Sequence, residues 1–118
     1  HPAELRATLT AAKELGYRQV WAVFQPFTFS RTAMLMDDFV SVLKIADRVV
    51  LAEIMGSREQ NTYNVYSGDL AAKLPGSIVI PDFEEIADYV MQNAVDGDLV
   101  ITLGCGDIYK AAKRMLKK

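Results

Sequence analysis

Short apolar runs alternate along this chain with stretches whose apolar residues recur every three or four positions. Leu5, Leu9, Ala12 and Leu15 fall at helical spacing and predict a first helix. Pro2 and Glu4 suit its first turn and Gly16 stops it. Val20–Phe24 is apolar at every position and predicts a buried strand. Leu35, Phe39, Val42, Leu43 and Ala46 form one face of a helix over 32–46, and 49–52 is a second, short strand. Residues 53–66 form a long loop rich in Gly, Ser, Asn and Tyr, and loops of that length in a compact domain are often functional. Ser67 is positioned to cap a short helix over 69–74, which Pro75-Gly76 breaks. A third strand follows at 78–80. Asp82 with Glu85 makes a capping-box-like start for a helix over Phe83–Asn93. Gly97 marks the turn into a fourth strand, Leu99–Leu103. Gly104-Cys105-Gly106-Asp107 then opens a last helix from Ile108, whose basic end (Lys110, Lys113, Arg114, Lys117, Lys118) complements the helix dipole as a solvated end.

Unalternating apolar strands separated by helices predict an α/β fold, a Rossmann-like three-layer domain with a mostly parallel sheet. The 118 residues suffice for one domain with one core. Helical periodicity begins almost at His1, as expected of an excised domain rather than a natural N-terminus. Composition changes this picture little. A hydrophobic fraction of 51% and a charged fraction of 24% are ordinary for a soluble globular chain. A formal net charge of -2 gives no reason to expect a nucleic-acid partner. No apolar run reaches the length of a membrane span, no signal peptide is visible, and a single cysteine fits a reducing compartment.

Candidate chemistry gathers where the strands of such a sheet end. Three loops meet there: 25–31, 53–66 and 104–107. In the first, Ser30 is placed to cap the following helix while Arg31 brings a fixed cationic fork, which together make an anion site. Spacing alone favours a plain surface turn with a solvated Arg, and the convergence of the loops raises the anion reading. Gly104 and Gly106 begin like a dinucleotide fingerprint, but Tyr109 stands where its third glycine belongs. They read instead as a tight turn with close backbone approach, Asp107 as a helix cap and Cys105 as a small packed residue. Glu53 reads equally as a ligand for an amine or loop N–H and as a solvated carboxylate. Glu59 reads as solvated, and Tyr63 and Tyr66 as packing over the core. No phosphate-binding Gly-Lys loop and no metal-ligand cluster is visible.

The order and spacing of these pieces resemble the C-terminal domain of the ATP-dependent Mur ligases over nearly the whole chain. His1-Pro2-x-Glu4 looks like the end of that family's Asp-Asp-Tyr-x-His-His-Pro-x-Glu segment. Phe24-Gln25-Pro26 with Ser30-Arg31-Thr32 follows, then Asp38-Phe39, Ala46-Asp47, Glu53-Ile54, Gly97-Asp98-Leu99-Val100 and Gly104-x-Gly106-Asp107-Ile108. Within the family the pattern is closest to the branch that joins L-alanine to UDP-N-acetylmuramate.

The resemblance implies a three-domain cytoplasmic enzyme of peptidoglycan synthesis. ATP phosphorylates the lactyl carboxylate, the amine of L-alanine attacks the acyl phosphate, and Mg²⁺ is required. The phosphate-binding loop lies in a central domain outside this chain. The C-terminal domain helps to bind the amino acid and closes over ATP, excluding water. The implied substrate-binding positions are Arg31, Ser30, Thr28, His1 and Glu53, with Arg31 on the alanine carboxylate. Gly104, Gly106 and Asp107 are the implied cofactor-side positions. Many relatives read Gln-Pro-His-Arg-Tyr-Ser/Thr-Arg where this chain has Phe27, Thr28 and Phe29, so a second carboxylate-binding Arg is missing at Thr28. Backbone N–H groups, or Arg58 from the long loop, are the candidates to replace it. Three alternatives stand beside this reading: a murein-recycling ligase that adds a tripeptide to the same nucleotide, a non-catalytic nucleotide-binding or regulatory α/β module, and a pure interaction module.

Overall fold

A computed structural model describes residues 1–104 and 106–116 of the chain. The expectations for Cys105 and for the last two lysines lie outside the described residues. The elements run α1 (Pro2–Glu14), β1 (Val20–Phe24), α2 (Phe29–Met34), α3 (Met36–Leu43), β2 (Arg48–Leu51), α4 (Ser67–Ala72), β3 (Ile78–Val79), α5 (Phe83–Asn93), β4 (Leu99–Leu103) and α6 (Tyr109–Leu116). The strands form one parallel sheet in the order β3-β2-β1-β4, so the first strand is central and the last lies at an edge.

The period-2 geometry of β1 divides its side chains between two cores. Val20, Ala22 and Phe24 face α1, α3 and α4, where Leu5, Leu9, Phe39, Leu43 and Leu70 pack. Trp21 and Val23 face the opposite way, against Ile86 and Val90 of α5 and Ala111 of α6. All five β1 residues are buried, which is why the strand reads as an unbroken apolar run. Helices cover both faces, as the expected three-layer arrangement requires.

Two aspartates fasten the start of β1. Asp47 accepts from Lys13 Nζ at 2.7 Å and from the Val20 N–H at 2.7 Å. Asp98, with a side chain only 1% exposed, accepts from Arg18 Nε at 2.7 Å, Arg18 Nη2 at 2.9 Å, Val95 N–H at 3.0 Å and Trp21 Nε1 at 3.2 Å. The Arg18 bonds are the largest reason its carboxyl is lowered to about 2; the Val95 and Trp21 donors add to them against the opposing effect of burial.

Several expectations are corrected. The helix expected over 32–46 is two helices. Leu35, at φ -109° and ψ 21°, breaks it into α2, which buries Thr32, and α3, which buries Phe39, Val40, Val42 and Leu43. Leu15 is 68% exposed, because α1 stops at Glu14 before the apolar face comes round again. Ser67 is no cap. Its side chain is buried and donates to the Ala52 carbonyl at 2.5 Å, while Asp69 takes the Tyr66 N–H at 2.8 Å. Tyr63 and Tyr66 are about half exposed. The loop is anchored instead by Val65, whose backbone N–H and C=O both bond the Asn61 side chain. Among the described residues no helix is long and apolar enough to cross a membrane.

Candidate functional site

At the carboxyl end of the sheet, Phe24 of β1 and Leu103 of β4 open a cleft of about 250 Å³. Phe24, Phe39 and Leu103 give it an apolar floor. Arg31, Glu4, His1, Gln25 and Gly104 bring polar groups to its walls. The start of α1 thus meets the ends of β1 and β4, elements far apart in sequence.

Arg31 sits in the first turn of α2 and is exposed. Among the described residues no carboxylate stands within ion-pair distance of its guanidinium. The residue that caps its helix is Thr28, not Ser30. Thr28 Oγ1 accepts the Arg31 N–H at 3.3 Å, and the Thr28 carbonyl accepts from Thr32 N–H and Thr32 Oγ1. Thr28 adopts φ +65° and ψ 146°, a conformation costly for a β-branched residue, of order 1–3 kcal/mol. Ser30 turns away from the cleft. Its N–H and hydroxyl donate to the two carboxylate oxygens of Glu59, at 3.0 and 2.5 Å. Glu59 is therefore not a solvated loop carboxylate. The Ser30 hydroxyl, then the Ser30 N–H, hold its carboxyl below the usual range against the opposing effect of burial.

The remaining expected positions divide. His1 lines the cleft, and its Nδ1 accepts the Ala3 N–H at 3.2 Å, capping α1. Glu53 does not reach the cleft. Its side chain borders a separate hollow with Phe29, Asn61 and Tyr66, and only its carbonyl touches the site, accepting from Gln25 Nε2 at 3.2 Å. Arg58 is exposed and does not line the cleft. Gly104 lines the cleft at φ +148°, and a β-carbon there would stand 2.9 Å from the Gln25 carbonyl oxygen. Gly106 packs away from the opening: a β-carbon would stand 2.8 Å from Gln25 Oε1 and 3.2 Å from Met55 Cε. Asp107 faces Lys110 at 3.5 Å.

Sequence reasoning passed over Glu4 and Gln25 as site residues. Glu4 was visible only as a helix-start carboxylate. Gln25 is 5% exposed, and its Oε1 has no hydrogen-bond partner among the described residues; a polar residue directly after a buried strand was the available signal. The described residues contain no group of three His, Cys, Asp or Glu able to hold a metal ion, and the two glycines are filled by contacts within the domain rather than opened as a phosphate cradle. Among the described residues no side-chain cluster and no open glycine loop marks a site of their own for Mg²⁺ or a triphosphate.

Residues 1–106 match the family described as Mur ligase, glutamate ligase domain. The chain belongs to the Mur ligase family. This Mur ligase domain is 45% identical to the UDP-N-acetylmuramate--L-alanine ligase of Lachnospira eligens and 43% identical to that of Acetivibrio thermocellus, in each case over 99% of this chain and 26% of the relative. It thus spans about a quarter of the length of these curated relatives. In structure it is similar to a domain from a protein assigned as a UDP-N-acetylmuramate:L-alanyl-gamma-D-glutamyl-meso-diaminopimelate ligase of Haemophilus ducreyi. The TM-score is 0.72 at 22% identity, over 99% of this chain and 82% of that one, a likeness of fold.

The residues that carry the family pattern fall at both ends of the sheet. Asp47 and Asp98 secure the amino end of β1. Gln25, Arg31 and Gly104 meet at the carboxyl end.

Proposed function

We propose that this Mur ligase domain is the C-terminal, amino-acid-binding and closing domain of a three-domain cytoplasmic ligase that joins L-alanine to UDP-N-acetylmuramate in peptidoglycan synthesis. The observation that carries the reading is the Arg31 guanidinium, which lines the cleft and among the described residues forms no ion pair, the nearby Glu59 charge acting on it only at a distance. A planar fork of this kind takes a carboxylate through two parallel charge-assisted hydrogen bonds. With the carboxylate of alanine held there, the amine is confined and oriented for attack, which removes much of the entropic cost of a bimolecular step. Glu4 also lines the cleft and offers a carboxylate acceptor for an ammonium. The curated relatives named for L-alanine support this amino acid over a tripeptide.

ATP, with Mg²⁺, supplies the activation of the nucleotide's carboxylate in the parent enzyme, and the rest of the parent chain holds both. This domain's contribution is to bind, to orient and, on closing, to keep water from the reacting centre.

Phosphate release by the full-length parent, given ATP, Mg²⁺ and UDP-N-acetylmuramate, tests the reading when L-alanine and the tripeptide are added in turn. Release that depends on alanine is expected. Release only with the tripeptide moves the protein to the recycling branch. In the same assay Arg31→Ala should raise the alanine KM about ten- to hundredfold, the equivalent of about 1.5–3 kcal/mol for a lost charged hydrogen bond. Unchanged alanine kinetics would remove Arg31 from the site.

A further inference from the structure

We infer that Glu59 is a positioning residue for Arg31, acting from the loop after β2 through the two hydrogen bonds it accepts from Ser30. The inference rests on the reading that Arg31 receives the amino-acid carboxylate.

The loop after β2 is joined to the loop after β1 along its length. Met55 and Phe27 form a parallel bridge; the Thr28 N–H donates to the Met55 carbonyl at 2.8 Å, and the Met55 N–H to the Pro26 carbonyl at 2.9 Å. Gly56 lies flat against the Phe29 ring, where a β-carbon would stand 2.4 Å from Cε2, so only glycine admits this approach. A turn through Ser57, at φ +58°, is closed by the Glu59 N–H on the Gly56 carbonyl at 3.1 Å. It delivers the Glu59 carboxylate to Ser30, the residue next to Arg31.

The geometry matters because α2 is short and little core packing fixes it. Of its six residues only Thr32 is buried. The direction in which Arg31 leaves the helix is then set by the first turn. That turn is held by three side chains: Thr28 on the Arg31 N–H, Thr32 on the Thr28 carbonyl, and Glu59, from outside the helix, on both donors of Ser30. Glu59 and Arg31 attract each other but form no ion pair among the described residues, so Glu59 fixes the helix without bonding the guanidinium. Held ionised by Ser30, the carboxylate keeps its acceptors throughout the neutral range.

The test uses the full-length parent enzyme with initial-rate kinetics in each substrate. Glu59→Ala should raise the alanine KM roughly tenfold, leaving kcat at saturating alanine and the KM values for ATP and UDP-N-acetylmuramate within about twofold. Glu59→Gln should recover much of the loss. Its amide oxygen still accepts the Ser30 N–H, and the Ser30 hydroxyl can turn to accept from the amide nitrogen. Adding Ser30→Ala to Glu59→Ala should cost little more than Glu59→Ala alone, since the hydroxyl bond that Ser30→Ala removes is already lost with Glu59. Three results would overturn the inference: an unchanged alanine KM in Glu59→Ala while Arg31→Ala raises it; a loss spread equally over all substrates with a fallen melting temperature; or no recovery in Glu59→Gln. The first of these leaves the role of Arg31 standing, whereas normal alanine kinetics in Arg31→Ala would remove both.

Discussion

A single β-carbon at position 104 would meet the Gln25 carbonyl oxygen at 2.9 Å and Ile108 Cγ2 at 3.3 Å, on a backbone at φ +148°. Backbone does not yield as a side-chain tip does. Gly104→Ala should therefore destabilise the domain by at least about 2 kcal/mol, combining strain and overpacking, as read from a urea midpoint. Gly106→Ala meets the movable end of Gln25 and should cost less. The close approach at these glycines was legible in the sequence, because two glycines between a strand and a helix leave few other readings. Glu59 was not. Its partner, Ser30, is 29 residues away, and nothing local distinguishes a carboxylate that crosses between loops from one in water. Thr28 was hidden for a different reason: a β-branched residue at positive φ is unfavourable by local rules, and here the surrounding hydrogen bonds impose it.

Among the elements, β1 is the pivot, fastened at its start and opening onto the cleft at its end. Both fastening carboxylates are held below their usual range. For Asp98 the Arg18 bonds lead. For Asp47 burial is the largest influence and raises the value, but the Lys13 and Val20 hydrogen bonds outweigh it. In the unfolded chain these groups bind protons near 3.8, so between that value and the folded Asp98 value of about 2 the unfolded state binds more protons. Their stabilisation is complete above this window and is lost as pH falls through it. Thermal melts should show a steep fall in melting temperature from about pH 4 to pH 2. Asp98→Asn should melt lower at neutral pH and fall less steeply in acid. An unchanged acid slope would show that other groups set it. Val20–Phe24, Leu99–Leu103 and Phe83–Asn93 were legible to the residue, since unbroken apolar runs and an Asp82 cap mark them. The break at Leu35 was not, because Leu35 and Met36 are good helix formers and nothing local in the sequence marks a turn between them.

For the molecule as a whole, the three-layer architecture followed from alternation alone, while the strand order β3-β2-β1-β4 needed the structure, because helical connections permit several arrangements. The cleft joins α1, β1, α2 and β4, yet holds neither a phosphate loop nor a metal-ligand group among the described residues. The 118-residue chain alone should accordingly release no phosphate from ATP with alanine present, and a coupled phosphate assay on the purified domain checks this. Turnover by the domain alone would mean that the chemistry resides here.

The placement of the family pattern at opposite ends of one sheet has a consequence for reading variants. A growth selection on the parent gene would score Asp98 and Arg31 as equally intolerant. Measured as abundance of soluble enzyme, Asp98 substitutions would deplete the protein and Arg31 substitutions would not. Measured as turnover per molecule, the ranking would reverse. A pattern spread from Arg31 to Asp98 would thus encode two phenotypes, how much protein is kept and how well each copy works, and β1 is the ruler that separates them.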